Sequence, residues 1–384
     1  MPLNEEVTFT FYVASWYRKS PYYAKTIEDG VKSFDIYNHM LIPTVYGDDV
    51  DEYWHLLNKV TMWDVGVERQ VEITGPDAFD FTNRLTCRDL TRCEVDQCKY
   101  APITADDGGI INDPILLRLA DDHFWLSLAD SDTLLWAKGV AVNSGMDVTI
   151  AEPDVSPMQI QGPRSKDVVR DLFGDSILDM KYYWCRQVEL AGIPLVISRT
   201  GWSGEVGYEL YLRDGSRGPE LWDLVKQAGE PYEIRTVAPN DIRRMEAGIF
   251  NYNNDMWITD TPLEVEGMER LVEEQDADYI GKAALERQRQ DGVTRKLTGA
   301  FIDGPPFLGW LVDFWPVRSG GAVVGRVTSA CYSPRVEKNL AYVWLPMELA
   351  APGTPMEIES PDGILTGTTT GLPFLDPRKD VPKG

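Results

Sequence analysis

A carboxylate and a phenol two residues apart, beside a tryptophan on a glycine-rich turn, form the most chemically suggestive pattern in this chain. Leu195-Val-Ile-Ser-Arg-Thr-Gly-Trp-Ser-Gly-Glu-Val-Gly-Tyr-Glu-Leu-Tyr-Leu212 reads as two strands joined by that turn. Strand alternation gives Glu209 and Tyr211 one face, next to Trp202, and Tyr208 and Leu210 the other. Gly201, Gly204 and Gly207 recur every third residue, so the backbone can turn tightly and approach a ligand closely. The spacing matches neither a dinucleotide-binding G-x-G-x-x-G nor a nucleophile elbow. An ordinary hairpin capped by a tryptophan reads the same residues without any ligand.

The elements that must hold this hairpin mix helix and strand. Val71-Glu-Ile73, Ile115-Leu-Leu-Arg-Leu119, Phe124-Trp-Leu-Ser-Leu128, Leu195-Val-Ile-Ser198 and Tyr208-Glu-Leu-Tyr-Leu212 are predicted strands, bounded by Gly, Asp and Pro. Helical spacing covers 76–85, 164–173 and 218–229. After residue 291 the texture shifts to short strands with frequent Gly and Pro, which predicts a C-terminal all-β domain. A chain of 384 residues is long enough for two or three domains.

A net charge of −24 argues against nucleic acid or an anionic membrane as partner, since both need a positive surface. No stretch reaches the length of an apolar membrane span, and the start, with Glu5 and Glu6, does not read as a signal peptide. Phe9-Thr-Phe-Tyr-Val-Ala-Ser-Trp-Tyr17 is expected as a strand or arm. A cytoplasmic protein is expected, and five cysteines at irregular spacing suit a reducing compartment. Cys87, Cys93 and Cys98 lack a C-x-x-C pair, and His39, His55 and His123 form no H-E-x-x-H, so no metal site is expected.

Arg199-Thr-Gly-Trp-Ser-Gly-Glu-Val-Gly-Tyr-Glu-Leu-Tyr211 resembles the signature of the folate-binding glycine-cleavage T-protein (aminomethyltransferase) family. Gln161-Gly-Pro163, Gly108-Gly-Ile-Ile-Asn-Asp113, Asp241-Ile-Arg-Arg-Met-Glu-Ala-Gly248, Tyr279-Ile-Gly-Lys282 and Gly325-Arg-Val-Thr-Ser-Ala-Cys-Tyr-Ser-Pro334 resemble further landmarks, in family order. Within that family the chain is most similar to the tetrahydrofolate-dependent dimethylsulfoniopropionate (DMSP) demethylases. Tyr37-Asn-His-Met-Leu-Ile-Pro43, Trp63-Asp-Val-Gly-Val-Glu-Arg-Gln-Val-Glu-Ile73, Thr86-Cys-Arg-Asp-Leu90 and Ser127-Leu-Ala-Asp-Ser-Asp132 carry that similarity. Asn112 and Asn240 stand where aminomethyltransferases have an acid and an Arg, while Ser203-Gly-Glu-Val-Gly207 looks like the T-protein loop.

The resemblance implies an α+β fold of three domains in a ring around a folate channel, ending in a β-barrel or jelly roll. It divides the chain into 1–55 with 156–255, 56–155 with 256–285, and 286–384. It further implies methyl transfer from a sulfonium donor to N5 of tetrahydrofolate, giving 5-methyltetrahydrofolate and methylmercaptopropionate. Such a donor needs alignment more than acid catalysis, because a neutral thioether leaves readily. Aromatic faces attract its cation, and Trp202, Tyr100 and Tyr211 are the candidate wall.

Tyr211, Trp202 and Asp113 are the catalytic candidates; Tyr37, His39, Lys99, Tyr100, Ser127 and Trp202 are candidates for donor binding. Lys99 would pair with the donor's carboxylate and Ser127 would donate a hydrogen bond to it. Tyr100, Glu209, Tyr211 and Asn240 are candidates for tetrahydrofolate, with Glu209 accepting paired N–H bonds from the pterin. Asp113 reads alternatively as a turn carboxylate, Asn240 as a helix cap, and His39 as a structural histidine. An O- or N-demethylase, an aminomethyltransferase and a non-catalytic folate-binding protein stay open beside the sulfonium reading. A homodimer is an open alternative to a monomer.

Overall fold

The structure, a computed structural model, describes residues 13–384. Residues 9–12 of the expected strand or arm lie outside the described residues, and its remainder, 13–17, forms no strand.

A six-stranded sheet carries the hairpin. Its order is Cys185–Leu190, Ile193–Ser198, Gly207–Leu212, Ser156–Gln161, Thr61–Asp64 and the short Arg235–Thr236, which runs parallel to its neighbour. Ser198 pairs with Glu209 across the hairpin, and Gln159 pairs with Glu209 on the other side. Met158, Ile160, Ile197, Tyr208 and Leu210 face one way, onto helices Ser165–Phe173 and Gly218–Gly229, and form one core with Val168, Leu221 and Trp222. Pro219 at the start of the second helix suits a position whose N–H has no intrahelical partner. The alternate residues Gln159, Glu209 and Tyr211 face away from these helices, as the pleat requires.

A five-stranded sheet, in the order Thr149–Ala151, Gln70–Thr74, His123–Ser127, Ile115–Ala120 and Cys98–Tyr100, has helices Ala78–Leu85 and Thr133–Ala141 on one face. Its other face, through Leu117, Leu119, Trp125 and Cys98, packs on Val196, Cys185 and Tyr211 of the first sheet. The two sheets therefore meet on their helix-free faces. Thr61–Asp64 belongs to the six-stranded sheet, on the far side of the boundary expected at residue 56.

Residues 295–370 form the closed barrel Arg295–Ile302, Lys338–Pro346, Ala322–Ser333, Trp315–Ser319, Pro355–Ser360, Gly363–Thr370. The expected C-terminal β domain is thus a barrel. Leu297, Cys331, Leu340 and Tyr342 anchor it to Ile242 and Met245 of helix Asp241–Glu246. Among the described residues no helix is long and apolar enough to cross a membrane.

Candidate functional site

Where the two sheets meet the segment that follows the barrel, residues 372–382, lies a cavity of about 340 Å³. Tyr37, Tyr100, Asp113, Ser127, Trp202 and Glu209 all line it, so six of the expected site residues come together. Glu68, Gln159, Trp63, Tyr182 and Tyr183 line it too.

Glu209 is held by three donors. Thr200 donates its hydroxyl to Oε2, Tyr211 donates to Oε2 at 3.3 Å, and Gln159 Nε2 donates to Oε1 at 2.8 Å. The Trp202 backbone N–H donates to Gln159 Oε1 at 3.3 Å, which turns the Gln159 amino group toward the carboxylates. That amino group also reaches Glu68 Oε1 at 3.4 Å, and Ser127 Oγ donates to Glu68 Oε2 at 3.3 Å. Burial pushes both carboxyls up, and Glu209 pushes Glu68 further.

Asp113 sits at the end of the short strand Ile110–Asn112 and accepts the Tyr100 hydroxyl at Oδ2, 2.7 Å away. Its Oδ1 has no hydrogen-bond partner among the described residues. Burial raises this carboxyl to about 7, against the lowering effect of the Tyr100 bond. Tyr37 is raised by burial and by Asp113, Glu68 and Asp130 around it. A second, basic group on the same cavity comprises Arg270 and Lys379, and burial lowers the latter's ammonium.

Trp202 is half-buried, packed on Leu56, Trp63, Val65 and Val237. Its indole N–H donates to Phe250 O at 3.4 Å, and the Arg244 guanidinium lies 5.3 Å from its ring. One cation therefore already engages this ring. The glycine spacing has a different cause from the expected one. A Cβ at Gly201 or Gly207 would collide with the Gln161 amide, so a side chain rather than a ligand demands the close approach. Gly204 alone needs its freedom for a positive φ, +68°.

Four expected site residues lie elsewhere. Lys99 precedes Tyr100 on one strand, so with Tyr100 turned to the cavity Lys99 points away, among Arg88, Glu273 and Asp89. His39 and Asn38 are the two corner residues of the hairpin Ser33–Tyr37/Met40–Val45, both with positive φ. That corner leaves His39 exposed, 3.3 Å from Asp132, while Asn38 turns inward to donate to Val67 O and Ala129 O at 3.0 Å. Asn240 caps helix Asp241–Glu246 through the Arg243 N–H at 3.1 Å and does not line the cavity. Tyr211 is fully buried behind Glu209 against Trp125, so it supports the carboxylate instead of forming the aromatic wall. Ser127 lines the cavity, but its hydroxyl proton serves Glu68 while its oxygen accepts from Gln70 Nε2 at 2.9 Å.

Glu68 and Gln159 were not anticipated. Gln159 had a signal: it alternates with Gln161 in an otherwise apolar strand, Ser156-Pro-Met-Gln-Ile-Gln161, where two buried amides need partners. Glu68 had none, because it reaches the site across the junction of two sheets.

Residues 11–275 match the GCVT N-terminal domain, and residues 295–376 match the glycine cleavage T-protein C-terminal barrel domain. The chain is 41% identical over 349 residues to the dimethylsulfoniopropionate demethylase DmdA of Ruegeria pomeroyi, covering 90% of this chain and 94% of that protein. It is 28% identical over 346 residues to an aminomethyltransferase of Desulfitobacterium hafniense, covering 89% and 93%. The fold superimposes on the glycine cleavage system aminomethyltransferase T of Bartonella henselae with a TM-score of 0.85 at 20% identity, over 94% and 98% of the two chains.

Proposed function

Because this chain belongs to the glycine-cleavage T-protein family, we propose that it is a tetrahydrofolate-dependent demethylase, taking a methyl group from a sulfonium donor such as DMSP. One observation carries the reading: a single cavity combines hydrogen-bond-accepting carboxylates at Glu209 and Glu68 with a separate basic group at Arg270 and Lys379. Tetrahydrofolate has the complementary layout, an N–H-rich pterin head and an anionic tail. The similarity to DmdA supports the donor class.

Tetrahydrofolate, when bound, supplies the N5 lone pair that takes the methyl carbon as the C–S bond breaks, and the thioether leaves neutral. Glu209 orients the pterin through its N–H groups. Tyr100 and Trp202 offer aromatic faces to the cation, each attraction worth about 0.5 to 2 kcal/mol. Asp113 Oδ1 receives the proton that the acceptor nitrogen sheds after transfer; a carboxyl near neutrality is suited to that task. Asn112 weighs against aminomethyl transfer. Its amide is consumed by Ala129 O at 2.9 Å and Ser131 Oγ at 2.8 Å, so it is structural at a position where the aminomethyltransferases have an acid.

The reading extends to a cytoplasmic enzyme with small-molecule substrates and no nucleic-acid or membrane partner. It treats the six-stranded sheet, the five-stranded sheet and the barrel, each with its helices, as three domains. Light scattering distinguishes a monomer from a homodimer.

The test is a donor panel. With tetrahydrofolate held constant, DMSP, dimethylglycine, a trimethylated amine and a methoxy-aromatic are compared for production of 5-methyltetrahydrofolate. DMSP should be used and the ethers not; use of the amine or ether alone would overturn the assignment.

A further inference from the structure

Glu209 is too heavily engaged to take a pair of pterin N–H bonds alone. A carboxylate offers about four lone-pair directions, two on each oxygen. Oε2 already accepts from Thr200 and Tyr211, and Oε1 accepts from Gln159, so one direction stays open, on Oε1. Glu68 differs. It accepts one bond per oxygen, from Gln159 at 3.4 Å and Ser127 at 3.3 Å, and keeps one direction open on each. Both side chains line the same cavity, and one Gln159 amino group bridges them.

We propose that Glu68 is a second pterin-binding residue, forming with Glu209 a two-carboxylate clamp whose open lone pairs together receive the ring's 2-amino and N3 hydrogens. The proposal rests on the tetrahydrofolate reading and deepens it. Glu209 stands on strand Gly207–Leu212 of the six-stranded sheet and Glu68 in the turn that leads from Thr61–Asp64 of that sheet to Gln70–Thr74 of the other, so head-group binding is sensitive to how the sheets meet. It also explains the surroundings of Glu68. Two acceptors side by side in a site rimmed by Tyr37 and Trp63 repel each other until donors arrive, and the Gln159 amino group between them and the Ser127 hydroxyl on Glu68 supply part of that donation. A ligand bringing several N–H groups completes what those two side chains begin.

The alternative role for Glu68 is counter-ion to the cationic donor, and binding measurements separate the two. Tetrahydrofolate, kept anaerobic, and DMSP are titrated separately by calorimetry into the wild-type chain and the Glu68→Gln and Glu209→Gln variants, with thermal midpoints recorded. Glu68→Gln places an amino group against pterin N–H groups, so tetrahydrofolate affinity should fall about tenfold or more while DMSP affinity stays within about twofold. A tetrahydropterin lacking the 2-amino group should lose much less on the same substitution. Should Glu68→Gln fail to fold, Glu68→Asp keeps the charge, shortens the reach and carries the same expectation. Wild-type affinity for tetrahydrofolate in Glu68→Gln, with or without a loss of DMSP binding, overturns the clamp. No binding of tetrahydrofolate to the wild-type chain overturns the folate reading itself, a result distinct from the variant's behaviour.

Discussion

Tyr100 donates its hydroxyl to Asp113 Oδ2 at 2.7 Å and leaves Oδ1 of the same carboxylate without a partner among the described residues. The bond orients Asp113, and burial keeps its carboxyl near neutrality at about 7. An unfolded aspartate titrates near 3.9, so between about pH 4 and 7 the folded chain binds the extra proton. Stability from this group is full below about pH 4 and is lost as pH rises through 7. Asp113→Asn should therefore gain stability over wild type as pH rises through that window, by roughly 2 to 4 kcal/mol at most. Urea titrations at pH 4.5 and 8 check the sign. In turnover, the rising limb centred near pH 7 should disappear in the variant.

Glu209→Gln keeps the shape but sets an amino group among the donors of Thr200, Tyr211 and Gln159. Leaving such groups mismatched costs about 1 to 3 kcal/mol, so tetrahydrofolate binding should weaken by roughly five- to a hundredfold. Unchanged affinity in a titration would remove Glu209 from the pterin site.

Trp202→Leu retains apolar volume but loses the ring. Binding of DMSP should weaken by about 0.5 to 2 kcal/mol, and binding of a neutral thioether analogue by less. Equal losses, with a lowered thermal midpoint, would show that Trp202 matters only through its packing on Trp63 and Val237 and its contact with Arg244.

Lys99 and His39 lie off the cavity, so Lys99→Ala and His39→Gln should each leave KM for DMSP and kcat within about twofold of wild type, the range of ordinary surface changes. A large rise in KM for Lys99→Ala would return that lysine to the donor site.

The hairpin was legible because a strand's alternation is local: Glu209 had to face away from Tyr208 and Leu210, and it does. The same rule separates Lys99 from Tyr100, adjacent residues that cannot share a face. Tyr211 shares the face of Glu209 but lies further along the strand, where the five-stranded sheet closes over it. That depends on how two sheets stack, which no local pattern encodes. Glu68 escaped notice for the same reason, since its partners Ser127, Gln159 and Glu209 are all at least 59 residues away in sequence. The glycines were visible, but their cause, the Gln161 amide, came from a neighbouring strand. The barrel showed itself as a change in texture, and its closure did not.

On this mechanism an intact methyl group passes from the donor sulfur to the folate N5. A single-turnover reaction with DMSP carrying ¹³C in its S-methyl groups, read by NMR, tests it directly. The label should appear in the N5-methyl group of 5-methyltetrahydrofolate, together with one equivalent of methylmercaptopropionate. Label remaining wholly in DMSP, while both ligands bind the chain, would rule out methyl transfer to folate by this protein.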